Sequence, residues 1–178
     1  MNNHYQPFIQ ILLFVTLVCA LSLSWCGKAY SEDLSLKCMA DNIYWEARNQ
    51  PVNGMIAVAF ATLNRVNDER FPNSVCEVIR QGPTRPSWVT GEPIPVKNRC
   101  QFSWYCDGKS DTIPLKDMNI YEVSISIAKR VMGEEFKDNT GGAVYYHADY
   151  VTPSWAKSKV RTIKIGNHIF YKWVNGKH

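Results

Sequence analysis

Hydrophobic residues recur at helical spacing in the first half of the chain. The first predicted helix begins at Ser35 and ends near Asn49–Gln50. Its apolar face is formed by Leu36, Met39, Ile43 and Ala47. Pro51 stands where a second helix is expected to start, and a charged stretch between Arg65 and Arg70 closes that helix.

Two further helices flank a long central loop. Ser74 is a suitable N-cap for a short helix from Val75 to Gln81. A longer helix is expected from Asn119 to Glu135, because apolar residues recur along one face of it. Residues 82–117 are interrupted by proline and glycine but are rich in aromatic residues, which predicts a structured loop that forms the wall of a cleft.

The C-terminal part of the chain follows a strand pattern. Ala143–His147 is a short aromatic strand, and Arg161–Ile165 and His168–Trp173 alternate around Gly166–Asn167, a dipeptide typical of a two-residue hairpin turn. His168 is expected to be exposed beside this turn. Helices followed by a small antiparallel sheet predict a single-domain α+β fold.

An uncharged apolar run from Phe8 to Trp25 precedes the predicted domain. Ala29 and Ser31 are small residues at the spacing that a signal peptidase accepts. We therefore interpret residues 1–31 as a secretory signal and residues 34–178 as the functional domain, exported to the periplasm, the cell wall or the medium. The run is also long enough to span a bilayer, and an uncleaved membrane anchor is the alternative.

Composition and charge exclude little but agree with one globular domain. A chain of 178 residues is long enough for one sizeable core. Lys and Arg number 20 against 16 Asp and Glu, an excess too small to indicate nucleic acid as a partner. The balance suits an anionic polymer weakly and is more simply explained by a solvated surface. We expect a monomer.

The cysteines agree with export. Cys38, Cys76, Cys100 and Cys106 follow the apolar run, an even number that predicts disulfides in an oxidising compartment. Of the three possible pairings, the short spacing favours Cys100 with Cys106, which leaves Cys38 with Cys76. The chain has no CxxC pair and its histidines form no ligand cluster, so neither a metal site nor a cofactor is predicted.

The clearest candidate for acid–base chemistry is Glu46, in the segment Ile43–Arg48 (IYWEAR). Aromatic neighbours such as Tyr44 and Trp45 would desolvate the carboxyl partly, which raises its pKa and lets it carry a proton at neutral pH. Protonating a glycosidic oxygen requires such a group. The alternative is an ordinary helical glutamate in an ion pair, although Arg48, two positions on, faces away from it.

Aromatic and amide side chains elsewhere are typical of carbohydrate binding. Gln101, Phe102 and Trp104 combine an amide with rings that can stack on sugars, but the same residues suit an aromatic mini-core held by a disulfide. Tyr146 and His147 carry the same ambiguity. A histidine in an aromatic strand is more often a satisfied structural residue than a base.

The ordered motifs resemble the SleB/CwlJ-type cell-wall hydrolases, which are the catalytic domains of spore cortex-lytic enzymes and their relatives. The segments that carry the resemblance are NIYWEARNQPVNGMIAVAFATLNRV, RFPNSVCEVIRQ, CQFSW, GGAVYYHADYVTPSWA and IGNHIFY. They run in the family's order from about Leu36 to Trp173. The resemblance implies a lysozyme-like fold related to lytic transglycosylases, with peptidoglycan as the substrate.

The resemblance also implies roles for individual residues. Glu46 would be the single catalytic acid and base in cleavage between N-acetylmuramic acid and N-acetylglucosamine, with no metal and no cofactor. The glycan cleft would be lined by Gln101, Phe102, Trp104, Tyr146 and His147.

One departure from the family leaves the reaction open. The family commonly continues the EAR motif with Gly-Glu, where this chain has Asn49–Gln50. Three carboxylates remain that would serve a muramidase-type hydrolase: Glu77, Asp107 and Asp149. The alternative from a different class is a non-catalytic glycan-binding module. Its stacking platforms would be Trp88, Trp104 and Trp155.

Overall fold

Four helices come first and a three-stranded sheet comes last in the computed structural model, which describes residues 32–174. The predicted secretory signal lies outside this range. The helices are α1 (32–47), α2 (Val52–Val66), α3 (Val75–Arg80) and α4 (Met118–Met132). The strands are β1 (Thr84–Pro86), β2 (Pro93–Pro95), β3 (Tyr145–Ala148), β4 (Val160–Ile165) and β5 (His168–Lys172). The predicted α+β class is confirmed.

Helix α2 is the centre of the domain. It is buried around its whole circumference from Gly54 to Thr62, as expected for a helix with packing partners on every side. One face joins the main core, to which α1, α3 and α4 all contribute. On another face the small side chains of Ala57 and Ala61 pack against Ala143 and Phe170, which brings the C-terminal sheet close to the helices.

The helix boundaries agree with the sequence within a few residues. The Ser74 side chain caps α3 as predicted, because its hydroxyl accepts a hydrogen bond from the Glu77 amide at 3.4 Å. Helix α4 ends at Met132, three residues before the predicted end at Glu135. The cause is Glu134, whose positive φ of 59° is incompatible with a continuing right-handed helix.

The loop at 82–117 contains a β-hairpin that the sequence did not predict. Strands β1 and β2 pair antiparallel, with Pro86 opposite Pro93 and Thr84 opposite Pro95. Proline lacks a backbone donor, but a two-stranded hairpin has two open edges on which this loss costs little. At the tip, Trp88 and Val89 are 95% and 93% exposed.

The C-terminal sheet has the strand order β3-β5-β4 and is antiparallel throughout. The predicted hairpin at Gly166–Asn167 is confirmed as the turn between β4 and β5. Gly166 has a φ of +57°, and a Cβ at this position would collide with the side-chain oxygen of Gln50. This close approach fixes the hairpin against the corner between α1 and α2.

Both predicted disulfides form. Cys38–Cys76 joins α1 to α3, and Cys100–Cys106 closes a short loop next to Phe102. No helix within residues 32–174 is long and apolar enough to cross a bilayer.

Replacing Cys38 and Cys76 together with serine is expected to lower the free energy of unfolding by about 4 kcal/mol, since this bridge closes a loop of 38 residues in the unfolded chain. The Cys100→Ser/Cys106→Ser pair, only 6 residues apart, should cost about 2 kcal/mol. Denaturant unfolding of the two double variants tests the order. Equal losses would contradict it.

Candidate active site

Glu46 lies in the last turn of α1 and faces the C-terminal sheet. The hydroxyl of Tyr146, on β3, donates a hydrogen bond to Glu46 Oε2 at 3.0 Å. The adjacent helix residue Ala47 and the residue one turn back, Ile43, are fully buried. The carboxyl group is therefore held between the helical core and the sheet, rather than on a solvated helix face.

A cleft of about 460 Å³ opens onto the Glu46 carboxyl. Its walls come from the end of α1, from the segment after β3 and from the β4–β5 turn. The lining residues are Trp45, Glu46, Arg48, Asn49, Gln50, Ala148, Tyr150, Asn167 and His168. Glu46 is the only carboxylate among these lining residues.

The surroundings of Glu46 favour its protonated form. Burial raises the pKa of Glu46 above its usual range. The hydrogen bond from Tyr146 and the positive charge of Arg65 favour the ionised form, but their combined effect is smaller than that of burial. Burial also raises the pKa of Tyr146 well above its usual range, so its hydroxyl stays protonated and remains a donor.

Arg65 is a buried cation behind this pair. The residue is 2% exposed, and its Nε donates a hydrogen bond to the Val144 carbonyl at 2.6 Å. Its guanidinium lies over the Phe102 ring, 5.0 Å from the ring centroid, and Nη1 has no hydrogen-bond partner within residues 32–174. Because a guanidinium keeps its proton even when buried, Arg65 supplies a fixed positive charge to the region of Glu46.

Two side chains at the end of α2 position the strand that carries Tyr146. Asn64 donates hydrogen bonds to Asp138, Thr140 and the Ala143 carbonyl, at 3.0 to 3.3 Å. Arg65 binds the next carbonyl, that of Val144. These contacts fix the segment that leads into β3, so the Tyr146 hydroxyl reaches Glu46 from a rigid support.

Aromatic packing shapes the wall next to Glu46. The Trp45 ring stacks on Trp104, with ring centroids 6.3 Å apart. Trp104 is in turn held by its Nε1, which donates to the buried Asn42 Oδ1 at 3.0 Å. Arg48 covers the Trp45 ring from the open side, with its guanidinium 5.1 Å from the ring centroid. The helix and the loop at 102–106 thus hold Trp45 in one orientation.

Tyr44 has a different environment from Trp45. Its ring is fully buried, and its hydroxyl donates to Asp117 at 2.8 Å and accepts from Arg48 at 2.7 Å. Residues two positions apart on a helix point in different directions, so Tyr44 faces α4 while Glu46 faces the sheet. Arg48 therefore binds Tyr44 rather than Glu46, as its position two residues after Glu46 on the helix predicts.

The structure brings together some predicted cleft residues and separates others. Tyr146 contacts Glu46, and Trp104 supports Trp45 from behind. Phe102 is 2% exposed and belongs to the core beside Arg65, and Gln101 is an exposed loop residue whose backbone amide binds the Gln81 carbonyl. None of these side chains lines the cleft itself.

His147 lies on the opposite face of β3 from Tyr146, because successive strand residues alternate. Its Nδ1 lies 2.9 Å from the Ala148 carbonyl and its Nε2 lies 3.0 Å from the Tyr171 hydroxyl. The ring stacks on Tyr171 and contacts Trp155. The geometry therefore places His147 in an aromatic cluster behind the cleft wall.

His168 is not exposed, contrary to the expectation from the sequence. The residue is 8% exposed and its ring lies against Tyr146, with centroids 5.1 Å apart. A histidine directly after a hairpin turn is exposed only if the turn projects into solvent, and this turn docks on Gln50. His168 consequently becomes part of the cleft wall, as does Tyr150, which is 84% exposed at the rim.

Gln50 is one of the two positions, with Asn49, at which the chain departs from the motif of the family it resembles. Its Oε1 accepts a hydrogen bond from the Asn167 amide at 2.9 Å, and its Nε2 donates to Asn49 at 3.2 Å. A neutral amide oxygen thus makes the contact to the hairpin that a carboxylate oxygen would also make. Gln50 thus binds the hairpin without adding a negative charge to the cleft.

The three other candidate carboxylates lie outside the cleft. Asp149 pairs with Lys164 at 2.7 Å and Asp107 pairs with Lys109 at 3.5 Å. Glu77 lies in the first turn of α3, where it accepts a hydrogen bond from the Ser74 hydroxyl at 2.7 Å, at the edge of a larger and more open depression of about 760 Å³. Within residues 32–174 no group of three or more His, Cys, Asp or Glu side chains is placed to hold a metal ion.

The raised pKa of Glu46 predicts a pH-dependent cost in stability. Since the folded state holds the Glu46 proton more tightly than the unfolded state does, the free energy of unfolding should fall as the pH rises from the ordinary glutamate range through the pKa in the folded state. A Glu46→Gln variant lacks this proton. Its stability relative to the wild type should therefore increase as the pH rises above the ordinary glutamate range, as measured by denaturant unfolding across a series of pH values. A difference independent of pH would contradict the prediction.

Comparison with known proteins agrees with the geometry. A family profile described as Cell Wall Hydrolase matches residues 49–171. The spore cortex-lytic enzyme of Halalkalibacterium halodurans is 32% identical over 141 residues, which are 78% of this chain and 34% of that protein. The spore cortex-lytic enzyme of Bacillus cereus is 32% identical over 146 residues, 80% of this chain and 46% of that protein. The chain thus spans between a third and a half of the length of these relatives.

Two solved structures have the same fold. The catalytic domain of the germination-specific lytic transglycosylase SleB from Bacillus anthracis superposes with a TM-score of 0.57 at 29% identity, over 78% of this chain and 93% of that one. The catalytic domain of the Bacillus cereus SleB protein gives a TM-score of 0.54 at 29% identity, over 78% and 89%. These matches confirm the expected lysozyme-like α+β architecture. With the profile match over most of its length, this chain belongs to the cell wall hydrolase family.

Proposed function

We propose that this protein cleaves the glycosidic bond between N-acetylmuramic acid and N-acetylglucosamine in peptidoglycan, as a lytic transglycosylase. The observation that carries the proposal is a single carboxyl, Glu46, which lines a cleft and whose pKa is raised by burial. Its lining residues offer no second carboxylate to act as a nucleophile or to activate water. A reaction that uses one carboxyl twice suits such a site.

In this reaction Glu46 acts first as an acid. Its proton passes to the glycosidic oxygen, the bond from that oxygen to C1 of the muramyl residue breaks, and the bonding electrons leave with the oxygen. The C6 hydroxyl oxygen of the same muramyl residue then bonds to C1, and its proton passes to the Glu46 carboxylate. The products are a 1,6-anhydro end and a new free hydroxyl, and Glu46 regains its proton.

The surrounding residues match the charge changes of this cycle. Between the two steps Glu46 is an anion, and it then accepts the hydrogen bond from Tyr146 and lies within the field of Arg65. Both favour the ionised form, whereas burial favours the protonated one. Opposing effects of this kind leave the carboxyl able to give up its proton and recover it, which a single acid–base residue requires.

The names of the relatives and the features of the sequence support the same proposal. The similar solved domain from Bacillus anthracis is described as a lytic transglycosylase, and the curated relatives are named spore cortex-lytic enzymes. A substrate in the cell wall requires export, which agrees with the apolar N-terminal run and with the two disulfides. We propose an exported monomer that needs no metal or cofactor and binds glycan strands through its cleft.

The test is digestion of purified peptidoglycan by the full chain, followed by mass spectrometry of the released muropeptides. The wild type should release fragments with 1,6-anhydromuramic ends, which are one water lighter than the corresponding reducing ends. The Glu46→Gln variant should be slower by about 10²-fold or more, because an amide cannot transfer the proton.

Glu122→Gln is the matched control, since Glu122 is an exposed glutamate on α4. This variant should release the same anhydro products at the wild-type rate. Reducing ends instead of anhydro ends would assign the protein as a muramidase-type hydrolase. Binding to the polymer with no fragments from any variant would assign it as a glycan-binding module. Equal activity of wild type and Glu46→Gln would remove Glu46 from the reaction.

Tyr146→Phe tests the hydrogen bond to Glu46. Removing the hydroxyl removes a donor that favours the carboxylate, so the pKa of Glu46 should rise further. Because the reaction begins with protonated Glu46, the activity lost as the pH rises should be lost at a higher pH in the variant. The rate at the optimum should fall, since the anion loses a donor.

The pH dependence of fragment release measures both effects. Tyr171→Phe is the control, because its hydroxyl contacts His147 behind the cleft wall instead of Glu46. Its alkaline limb should coincide with that of the wild type. An alkaline limb that moves to lower pH in Tyr146→Phe would refute the assigned role.

A further inference from the structure

His168 is a buried imidazole in the wall of the Glu46 cleft that the reaction above does not use. It is the first residue of β5 and pairs with Ala148 on β3 and Ile165 on β4, so its backbone is held on both sides. The residue is only 8% exposed, yet it lines the same cleft as Glu46. The neighbouring Tyr146 ring connects the two residues, since it contacts His168 and its hydroxyl binds Glu46.

The two ring nitrogens of His168 form no hydrogen bond with any residue in the part of the chain that the structure describes. Nδ1 is fully enclosed and unpartnered. His147, on the opposite face of the same sheet, differs in that both of its ring nitrogens have partners. Buried polar groups are nearly always hydrogen-bonded, and an exception at the wall of a cleft points to a partner that the ligand supplies.

The enclosure of Nδ1 determines which atom faces the ligand. Burial lowers the pKa of His168, which keeps the imidazole neutral, although the charge of Asp149 acts in the opposite direction. A neutral imidazole has one N–H donor, and an enclosed N–H without an acceptor is less tolerable than an enclosed lone pair. The proton therefore belongs on Nε2, and Nε2 is also the only ring nitrogen that can face the cleft.

We propose that His168 binds substrate, with its Nε2–H donating a hydrogen bond to an oxygen of the aminosugar that occupies the cleft beside Glu46. This inference rests on the proposed function. Aminosugars of peptidoglycan carry hydroxyl and acetamido carbonyl oxygens, and both accept such a bond. A neutral donor orients the sugar without placing a positive charge beside Glu46, where it would favour loss of the catalytic proton.

Two conservative variants separate binding from structure. In His168→Gln the side-chain amide reaches the region of Nε2 and keeps a donor there. In His168→Asn the shorter side chain places its amide near Nδ1 and leaves the cleft without a donor. Both are neutral, polar and smaller than histidine, so their folding defects should be similar, and their thermal unfolding midpoints measure these defects.

The experiment measures affinity for purified peptidoglycan in the Glu46→Gln background, in which slow cleavage leaves time to measure binding. His168→Asn should weaken binding by about tenfold, the effect of leaving a substrate oxygen unpaired, and His168→Gln should stay within about threefold. In the active enzyme, His168→Asn should raise KM more than it lowers kcat, and its products should keep anhydro ends.

Three results would overturn the inference. Unchanged affinity in His168→Asn would show that His168 does not contact the substrate. Equal losses of affinity in both variants, in proportion to lowered unfolding midpoints, would assign His168 a structural role. A change in kcat alone would place its effect outside binding. Failure of the proposed function is recognised separately, because the wild-type protein would then release no anhydro fragments.

Discussion

The hydrogen bond between Tyr146 and Glu46 joins two parts of the chain that are 100 residues apart and defines the site. It requires α1 to direct Glu46 toward the sheet and β3 to direct Tyr146 toward α1. Neither strand nor helix would fix this contact alone. Its chemical result is a carboxyl in a poorly solvated position with one neutral donor, which is the environment of a group that exchanges a proton.

The rest of the domain supports that contact from behind. Helix α2 is buried from Gly54 to Thr62 and carries Asn64 and Arg65, which hold the segment before β3 by hydrogen bonds to its backbone carbonyls. Small residues on another face of α2 let Phe170 of β5 pack closely. On the opposite wall, the Cys100–Cys106 loop presents Trp104 to Trp45. Burial of Glu46 between these elements is the main cause of its raised pKa.

Local patterns were sufficient for the helices, the C-terminal hairpin and the α+β class, because each depends on neighbours a few residues away. The β1–β2 hairpin was missed since its prolines act as breakers in most sheets, and only its open edges accommodate them. The site was predictable in part. Glu46 stood out as a carboxyl among aromatic residues, but Tyr44, predicted to shield it, instead binds Asp117, and Phe102 lies in the core.

By itself the sequence determined where the helices and strands form, which cysteines pair and which carboxyl is the candidate acid, since spacing and composition carry this information. Only the tertiary structure decided what surrounds that carboxyl. Gly166 has to approach Gln50 closely before the hairpin can dock, and docking buries His168 and turns it into a cleft residue. Solvation and burial depend on contacts between distant segments, and the pKa of Glu46 is therefore a property of the folded domain.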